Sequence, residues 1–105
     1  MFGDMDGMMA KLQEAQQKIA EARASLNNII VSGESGSGKV KVTATANREI
    51  RSISIDDSLF EDKEALEDFL IIAINNTLES AHEINEKTLS EAAQNGMPNI
   101  PGFDL

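Results

Sequence analysis

Residues 33–40, with the sequence GESGSGKV, come within one residue of the phosphate-binding loop pattern GxxxxGK[ST]. In that loop, a Ser or Thr hydroxyl after the lysine binds Mg²⁺, and the chain enters a helix whose N-terminal N–H groups bind phosphate. Here Val40 stands at the hydroxyl position, and small apolar and polar residues alternate from there to Ala46. Such alternation is typical of a strand. We therefore predict that the Gly/Ser tract connects two strands of a hairpin and binds no nucleotide.

The other residues that could do chemistry form no catalytic or metal-binding pattern. His82 is the only histidine, and we expect it to face solvent or to pack. The carboxylates within residues 61–68 lack the glycine and the ligand spacing of a calcium loop, whereas the start of a helix attracts such charges. The chain has no cysteine. The sequence therefore predicts no enzyme, no cofactor, no metal and no small-molecule substrate.

The length of 105 residues predicts one domain, over residues 1–96, followed by a loosely ordered tail at residues 97–105. The core of so short a chain is small, so oligomerisation is expected. The net charge of -9 is unevenly distributed: residues 1–30 carry -1, residues 31–55 carry +2 and residues 56–105 carry -10. The second half therefore holds the acidic excess.

The sequence contains no apolar run long enough to span a membrane, and residues 1–10 lack the basic and apolar regions of an export signal. We therefore expect a soluble protein of the cytoplasm.

The first predicted element is a helix over about residues 8–25. Its apolar residues follow one another at alternating spacings of four and three, which is a heptad seam. The seam comprises Met8, Leu12, Ala15, Ile19, Ala22, Leu26 and Ile29. Because alanine fills two of these positions, Ala15 and Ala22, the seam suits one closely packed partner helix.

Three strands are predicted next, at residues 27–32, 39–46 and 48–55, with a tight turn at Ala46-Asn47. In the third strand, Ile53 and Ile55 share a face with Arg51, whereas Ile50 lies on the opposite face. Such a pattern indicates either a bulge or a strand covered on both sides.

A long second helix follows, and Ser58 and Glu61 have the spacing of a capping box at its entrance. Near its start the helix is apolar on all sides, and one sheet can hardly cover such a surface. A homodimer would bury it, with a candidate interface of Phe69, Leu70, Ile71, Ile72 and Ile74. Further on, an apolar stripe predicts an antiparallel partner for the first helix; it comprises Ala81, Ile84, Thr88 and Ala92. The helix is expected to stop at Asn95-Gly96.

The basic residues of the two helices are the candidates for contact with nucleic acid, and they are Lys11, Lys18, Arg23 and Lys87. Lys11 and Lys18 are seven apart and therefore lie on one stripe of the first helix. Glu14 and Glu21 are interleaved with these cations, and composition alone favours an ordinary solvated face. The net charge of -9 opposes the approach of DNA at long range.

Several segments form a recognisable order: the N-terminal Met-Phe-Gly, the Gln/Lys/Glu-rich heptad helix, VSGESGSGKVKVTA, IRSISIDDSLFEDKEALEDFLIIAINNTLE and the terminal GMPNIPGF. Taken together, they resemble the YbaB/EbfC family of bacterial nucleoid-associated proteins. The resemblance covers essentially the whole chain. At Ala46-Asn47 the family commonly has an Asn-Gly turn, and Asp57 stands where a proline is frequent.

The resemblance implies an α+β fold of two layers, in which a helix, a three-stranded antiparallel sheet and a long helix follow in that order. It further implies a homodimer in the cytoplasm and nucleoid whose projecting helical arms bind double-stranded DNA with little sequence preference. Carried over to this sequence, the arm residues that could contact DNA are Lys11, Lys18, Arg23 and Lys87. The alternative, favoured by the acidic second half, is a dimeric scaffold that grips a protein partner and binds DNA weakly or not at all.

Overall fold

The computed structural model describes the backbone of residues 2–96 and the side chains of residues 7–94. The elements follow the predicted order: helix α1 (Phe2–Leu26), strands β1 (Ile30–Ser35), β2 (Val40–Thr45) and β3 (Ile50–Ile55), and helix α2 (Lys63–Gly96). Short 3-10 turns lie between β1 and β2 (Gly36–Gly38) and before α2 (Asp57–Glu61). The prediction of a helix, a three-stranded antiparallel sheet and a long helix is confirmed. The predicted tail, residues 97–105, lies outside the described residues.

The Gly/Ser tract forms a hairpin connection, as predicted, and leads from β1 into β2. Gly36 and Gly38 have φ values of 60° and 88°, in the left-handed region that glycine adopts without steric cost. Gly33, Glu34 and Ser35 nevertheless belong to β1. The predicted first strand at residues 27–32 was therefore placed three residues too early.

The sheet has the order β1-β2-β3, and its last strand contains a bulge. Ile53 pairs with Val42, but Ile50 pairs with Ala44, so that Arg51 is an extra residue in β3. The bulge places Ile50 on the same face as Ile53, which resolves the two alternatives left by the sequence. Apart from half-buried Ile55, the whole strand is exposed.

Helix α2 covers one face of β1 and β2, and the core lies between this helix and the sheet. One cluster joins Val40, Val42 and Leu59 to Ala73, and a second joins Val31 and Ala44 to Ala81. Buried Thr77 donates its hydroxyl to the carbonyl oxygens of Ala73 (2.7 Å) and of Val42 (3.4 Å), so its polar atom is satisfied inside the core. The first half of α2 is thereby fixed on the sheet.

The predicted capping box at Ser58 and Glu61 is wrong, because two aspartates take the capping positions instead. Asp56 accepts a hydrogen bond from the backbone nitrogen of Ser58 (2.9 Å) and caps the 3-10 turn. Asp62 accepts from the nitrogen of Ala65 (3.2 Å) at the start of α2. The hydrogen bonds from Ser58, with a smaller contribution from the charge of Lys39, lower the pKa of Asp56 below its ordinary value of 3.8.

Helix α1 packs on α2 rather than on the sheet. The described residues extend over 73 × 25 × 15 Å, whereas the 34 residues of α2 account for only about 51 Å. The molecule is therefore longer than α2 alone. We call α1 together with residues 82–96 of α2 the two-helix extension.

The heptad seam is buried along only part of α1. Ala15 and Leu26 are buried, and Ile19 and Ala22 are half-buried. By contrast, all side chains of residues 7–14 are exposed. On α2, Thr88 and Ala92 are half-buried, but Ala81 and Ile84 pack against β1 and β2. The first two residues of the predicted pairing stripe on α2 therefore also contact the sheet.

Candidate nucleic-acid interface

The four basic candidates all lie on the two-helix extension, and all four are exposed. Lys11, Lys18 and Arg23 are on α1, with Arg23 in its last turn, and Lys87 is on α2. From Lys11 to Arg23 the helix rises about 18 Å, which corresponds to about five base pairs of duplex DNA. The cations are therefore spread along the extension and do not form one compact patch.

The length of α1 helps to explain why the side chains at the start of its described part, from residue 7, are exposed. The C-terminal end of α1 lies beside the β2–β3 turn, and this turn is hydrogen-bonded to Asn85 of α2. Only residues 86–96 of α2 follow Asn85, which is about 16 Å of helix, whereas α1 extends about 32 Å from Arg23 to Phe2. Exposed Met8 therefore lies on a part of α1 that outreaches α2, whereas Lys11 and Leu12 lie about level with the C-terminal end of α2.

Acidic side chains accompany the cations on both helices. On α1, Glu14 and Glu21 are exposed, and Glu21 accepts a hydrogen bond from the side chain of Gln17 (3.3 Å). On α2, the exposed carboxylates within residues 82–96 belong to Glu83, Glu86 and Glu91. The two-helix extension is thus a surface of mixed charge, in which the α1 side is the more basic one.

The structure places the residues of the proposed dimer interface on two different sides of α2. Phe69, Leu70 and Ile74 are half-buried and pack against the core beneath the helix. Ile71 and Ile72, in contrast, expose 59% and 48% of their surface. The sheet therefore covers part of the apolar run and leaves the outward part in solvent.

The β2–β3 turn holds both helices at the base of the two-helix extension. The side-chain nitrogen of Asn47 donates to the carbonyl oxygen of Arg23 (3.0 Å) and to Oδ1 of Asn27 (2.7 Å). The side-chain nitrogen of buried Asn85 donates to the carbonyl oxygen of Ala46 (3.1 Å) and to Oδ1 of Asn47 (3.3 Å). These bonds connect the end of α1, the turn and the middle of α2.

A contact between side chains lies next to this network. Nη2 of Arg48 is 2.6 Å from Nδ1 of His82, and Nε2 of His82 is 3.5 Å from Oε1 of Glu86, one turn further along α2. His82 is partly open to solvent, as the sequence predicted, but it also contacts the turn. Sequence reasoning missed these contacts. The signal that the sequence offered was a tight turn without a glycine, in which Arg48 takes the left-handed conformation that glycine favours.

A match to a family model covers residues 1–97, and that model is described as the YbaB/EbfC DNA-binding family. The chain belongs to the YbaB/EbfC DNA-binding family. The family resemblance suggested by the sequence segments is thereby confirmed.

Individual members of the YbaB/EbfC family extend the comparison. A protein of Flavobacterium johnsoniae named "Nucleoid-associated protein" is 48% identical over 101 residues, which are 96% of this chain and 95% of that protein. The crystal structure of the uncharacterized protein HP0035 from Helicobacter pylori has a TM-score of 0.72 to this chain at 30% identity, covering 87% of this chain and 94% of that one. The fold is thus shared with a solved structure of similar length.

Two further findings concern only the part of this YbaB/EbfC chain that the structure describes. Among those residues, no group of three or more His, Cys, Asp or Glu side chains is arranged to hold a metal ion. Neither of the described helices combines the length and the apolar character that a membrane span needs.

Proposed function

We propose that this chain is a nucleoid-associated protein that binds double-stranded DNA as a homodimer, through its two-helix extensions and with little sequence preference. The observation that carries the proposal is the family match over residues 1–97, and the name of the Flavobacterium relative supports it. In this proposal, the two-helix extensions are the projecting arms that contact DNA. The proposed location is the bacterial nucleoid, in the cytoplasm.

The proposed contacts are between the exposed cations of the two-helix extension and DNA phosphates. Lys11 and Lys18 lie one heptad apart on the same stripe of α1, so both can face one duplex. Lysine is a flexible point charge, and contacts to phosphate carry no direct sequence information. Binding by such residues is therefore expected to discriminate little between sequences.

The acidic surface sets a limit on this binding. With a net charge of -9, the chain repels DNA at long range, and salt screens this repulsion as it screens the attraction of the lysines. A homodimer doubles the number of basic side chains that can engage one duplex, which favours binding by two extensions at once. We therefore propose that dimerisation is needed for useful affinity.

The proposed dimer interface is the outward part of the apolar run on α2. Ile71 and Ile72 are exposed there, although isoleucine is among the residues most often buried. In addition, Ile53 on the uncovered edge strand exposes 45% of its surface on the sheet face that α2 occupies. A second subunit would remove such surfaces from water, at about 25 cal/mol for each Å² of apolar area.

A fluorescence anisotropy titration with a duplex of about 30 base pairs, repeated over a salt series, tests DNA binding. The variant Lys11→Gln/Lys18→Gln should bind more weakly, and its plot of log K against log salt should be flatter by about one for each phosphate that the variant no longer neutralises. A duplex with a shuffled sequence should bind with similar affinity.

The matched control is Lys39→Gln/Lys41→Gln, which removes the same charge from β2 and its preceding residue. This control should keep the slope of the native protein. Absence of binding at low salt would contradict DNA binding itself. An equal decrease in affinity for both variants would leave DNA binding in place but contradict the assignment of the site to the two-helix extension.

A second candidate function is a dimeric scaffold for a protein partner. It is favoured by the excess of glutamates over lysine on residues 82–96, where Glu83, Glu86 and Glu91 stand against Lys87. A basic protein partner would fit that side of the extension. This candidate replaces the first if the titration detects no DNA binding at low salt.

A further inference from the structure

Arg48 adopts a backbone conformation that is unusual for its residue type. Its φ is 66°, in the left-handed region where glycine is the favoured residue. The backbone nitrogen of Arg48 donates to the carbonyl oxygen of Thr45 (2.9 Å), which closes the β2–β3 turn. Glycine would make the same turn without steric cost, whereas arginine adopts this conformation at a cost.

The Arg48 side chain reaches across to α2 and contacts the only histidine of the chain. Nη2 of Arg48 lies 2.6 Å from Nδ1 of His82. A guanidinium group has only donors, so the imidazole nitrogen must accept. Nδ1 can accept only when the ring is neutral and its proton is on Nε2, the nitrogen that lies 3.5 Å from Oε1 of Glu86.

Protonation of the ring removes this acceptor. In the imidazolium form both ring nitrogens carry protons, and the ring and the guanidinium repel each other as like charges. The pairing with Glu86 is compatible with the charged ring, so a protonated His82 retains its neighbour on α2 and separates from its neighbour in the turn.

Charged side chains near His82 belong to three elements: α2, the β2–β3 turn and α1. On α2, Glu79, Glu83 and Glu86 are exposed within one turn of His82. In the turn, Glu49 follows Arg48 and pairs with Arg51 (3.8 Å).

The third element that reaches the turn is α1, and Arg23 is the basic residue of its last turn. The His82 side chain is 53% exposed, so water and protons reach the ring without a conformational change.

We propose that the Arg48–His82 contact is a proton-sensitive latch between the β2–β3 turn and α2. The latch is closed when His82 is neutral and opens when His82 becomes protonated. It lies beside Asn47 and Asn85, which hold the base of the two-helix extension, so its state alters how firmly the turn is attached there. The proposal does not depend on DNA binding.

Nuclear magnetic resonance of the intact protein tests the latch directly, because a single histidine gives a single set of imidazole signals. When the ring is neutral, ¹⁵N shifts should identify the tautomer with the proton on Nε2. When acid protonates the ring, the guanidinium signals of Arg48 should shift together with the ring signals of His82.

Two variants complete the test. In Arg48→Gly, which suits the turn, the preference for the Nε2 proton should decrease. In His82→Gln, whose amide oxygen accepts at any pH, the Arg48 signals should no longer change over the titration. A neutral ring with its proton on Nδ1, or Arg48 signals that ignore the titration of His82 in the native protein, would overturn the proposal.

Discussion

Gly33 of β1 lies directly against Thr77 of α2. A Cβ atom on Gly33 would stand 2.5 Å from Oγ1 and 2.7 Å from the backbone nitrogen of Thr77, and 3.0 Å from the carbonyl oxygen of Ala73. Two of these three atoms belong to the helix backbone, which cannot rotate away as a side chain can. The distance between α2 and the sheet is therefore set by the absence of a side chain at this position.

The substitution Gly33→Ala should consequently push α2 away from β1. Overpacking of this kind lowers the free energy of unfolding by about 1–3 kcal/mol, and urea denaturation measures the decrease. Gly7→Ala is the matched control, because a Cβ on Gly7 meets nothing within 4 Å and alanine favours a helix. Equal urea midpoints for the two variants would contradict the close packing at Gly33.

The amide of Asn85 should contribute more to stability than that of an exposed asparagine on the same helix. In Asn85→Ala, the carbonyl oxygen of Ala46 is left without this donor in a buried place, which costs about 1–3 kcal/mol. Asn76→Ala is the control, since exposed Asn76 only donates to the carbonyl oxygen of Glu34 at 3.4 Å. Comparable destabilisation of both variants would argue against the structural role given to Asn85.

The stability of the protein should depend on the ionisation of Asp56 in acid. Hydrogen bonds from Ser58 lower its pKa in the folded chain, so the carboxylate stabilises the fold above its ordinary pKa of 3.8. This contribution is lost as the pH falls below 3.8 through the lower pKa of the folded state.

Asp56→Asn should therefore lose less stability than the native protein over that acid range, as measured by thermal unfolding at successive pH values. Asp57→Asn changes the neighbouring carboxylate and leaves the Asp56 bonds in place, so its acid dependence should follow the native one. If the two variants behave alike, the hydrogen bonds of Asp56 do not act as described.

The outward isoleucines of α2 should control the oligomeric state. Sedimentation velocity at micromolar concentration should give a dimer for the native chain and a folded monomer for Ile71→Glu/Ile72→Glu. Burying two unpaired carboxylates in an interface costs more free energy than the apolar contact contributes. Phe60→Ser is the control: it removes an exposed apolar side chain that lies outside the apolar run of α2, so this variant should remain dimeric. A native protein that sediments as a stable monomer would exclude the proposed interface.

Features governed by local chemistry could be predicted from the sequence. The hairpin at residues 36–38 follows from glycines between alternating segments, and the bulge in β3 was one of two alternatives set by the position of Ile50. The family could also be predicted from the motifs. In each case the decisive residues are close together in the chain.

Features governed by distant contacts could not be predicted. Gly33 belongs to the Gly/Ser tract by composition, yet it pairs with Val42 as part of β1 and lies against Thr77 of α2. The capping residues were misjudged because several acidic and hydroxyl side chains precede α2, and any of them can cap. Likewise, Asn47 and Asn85 are 38 residues apart, and nothing in the local pattern joins them.

In the part of α1 that outreaches α2, the side chains that the structure describes, those from residue 7 onwards, are exposed. A solitary helix of fewer than about 12 residues is only marginally stable in water. The first turns of α1 are therefore expected to unwind and rewind in the free protein, with rapid amide exchange. A DNA duplex bound to these turns would favour their helical conformation, so DNA binding would include a small folding reaction. Calorimetry would record this folding as an additional decrease in heat capacity on binding.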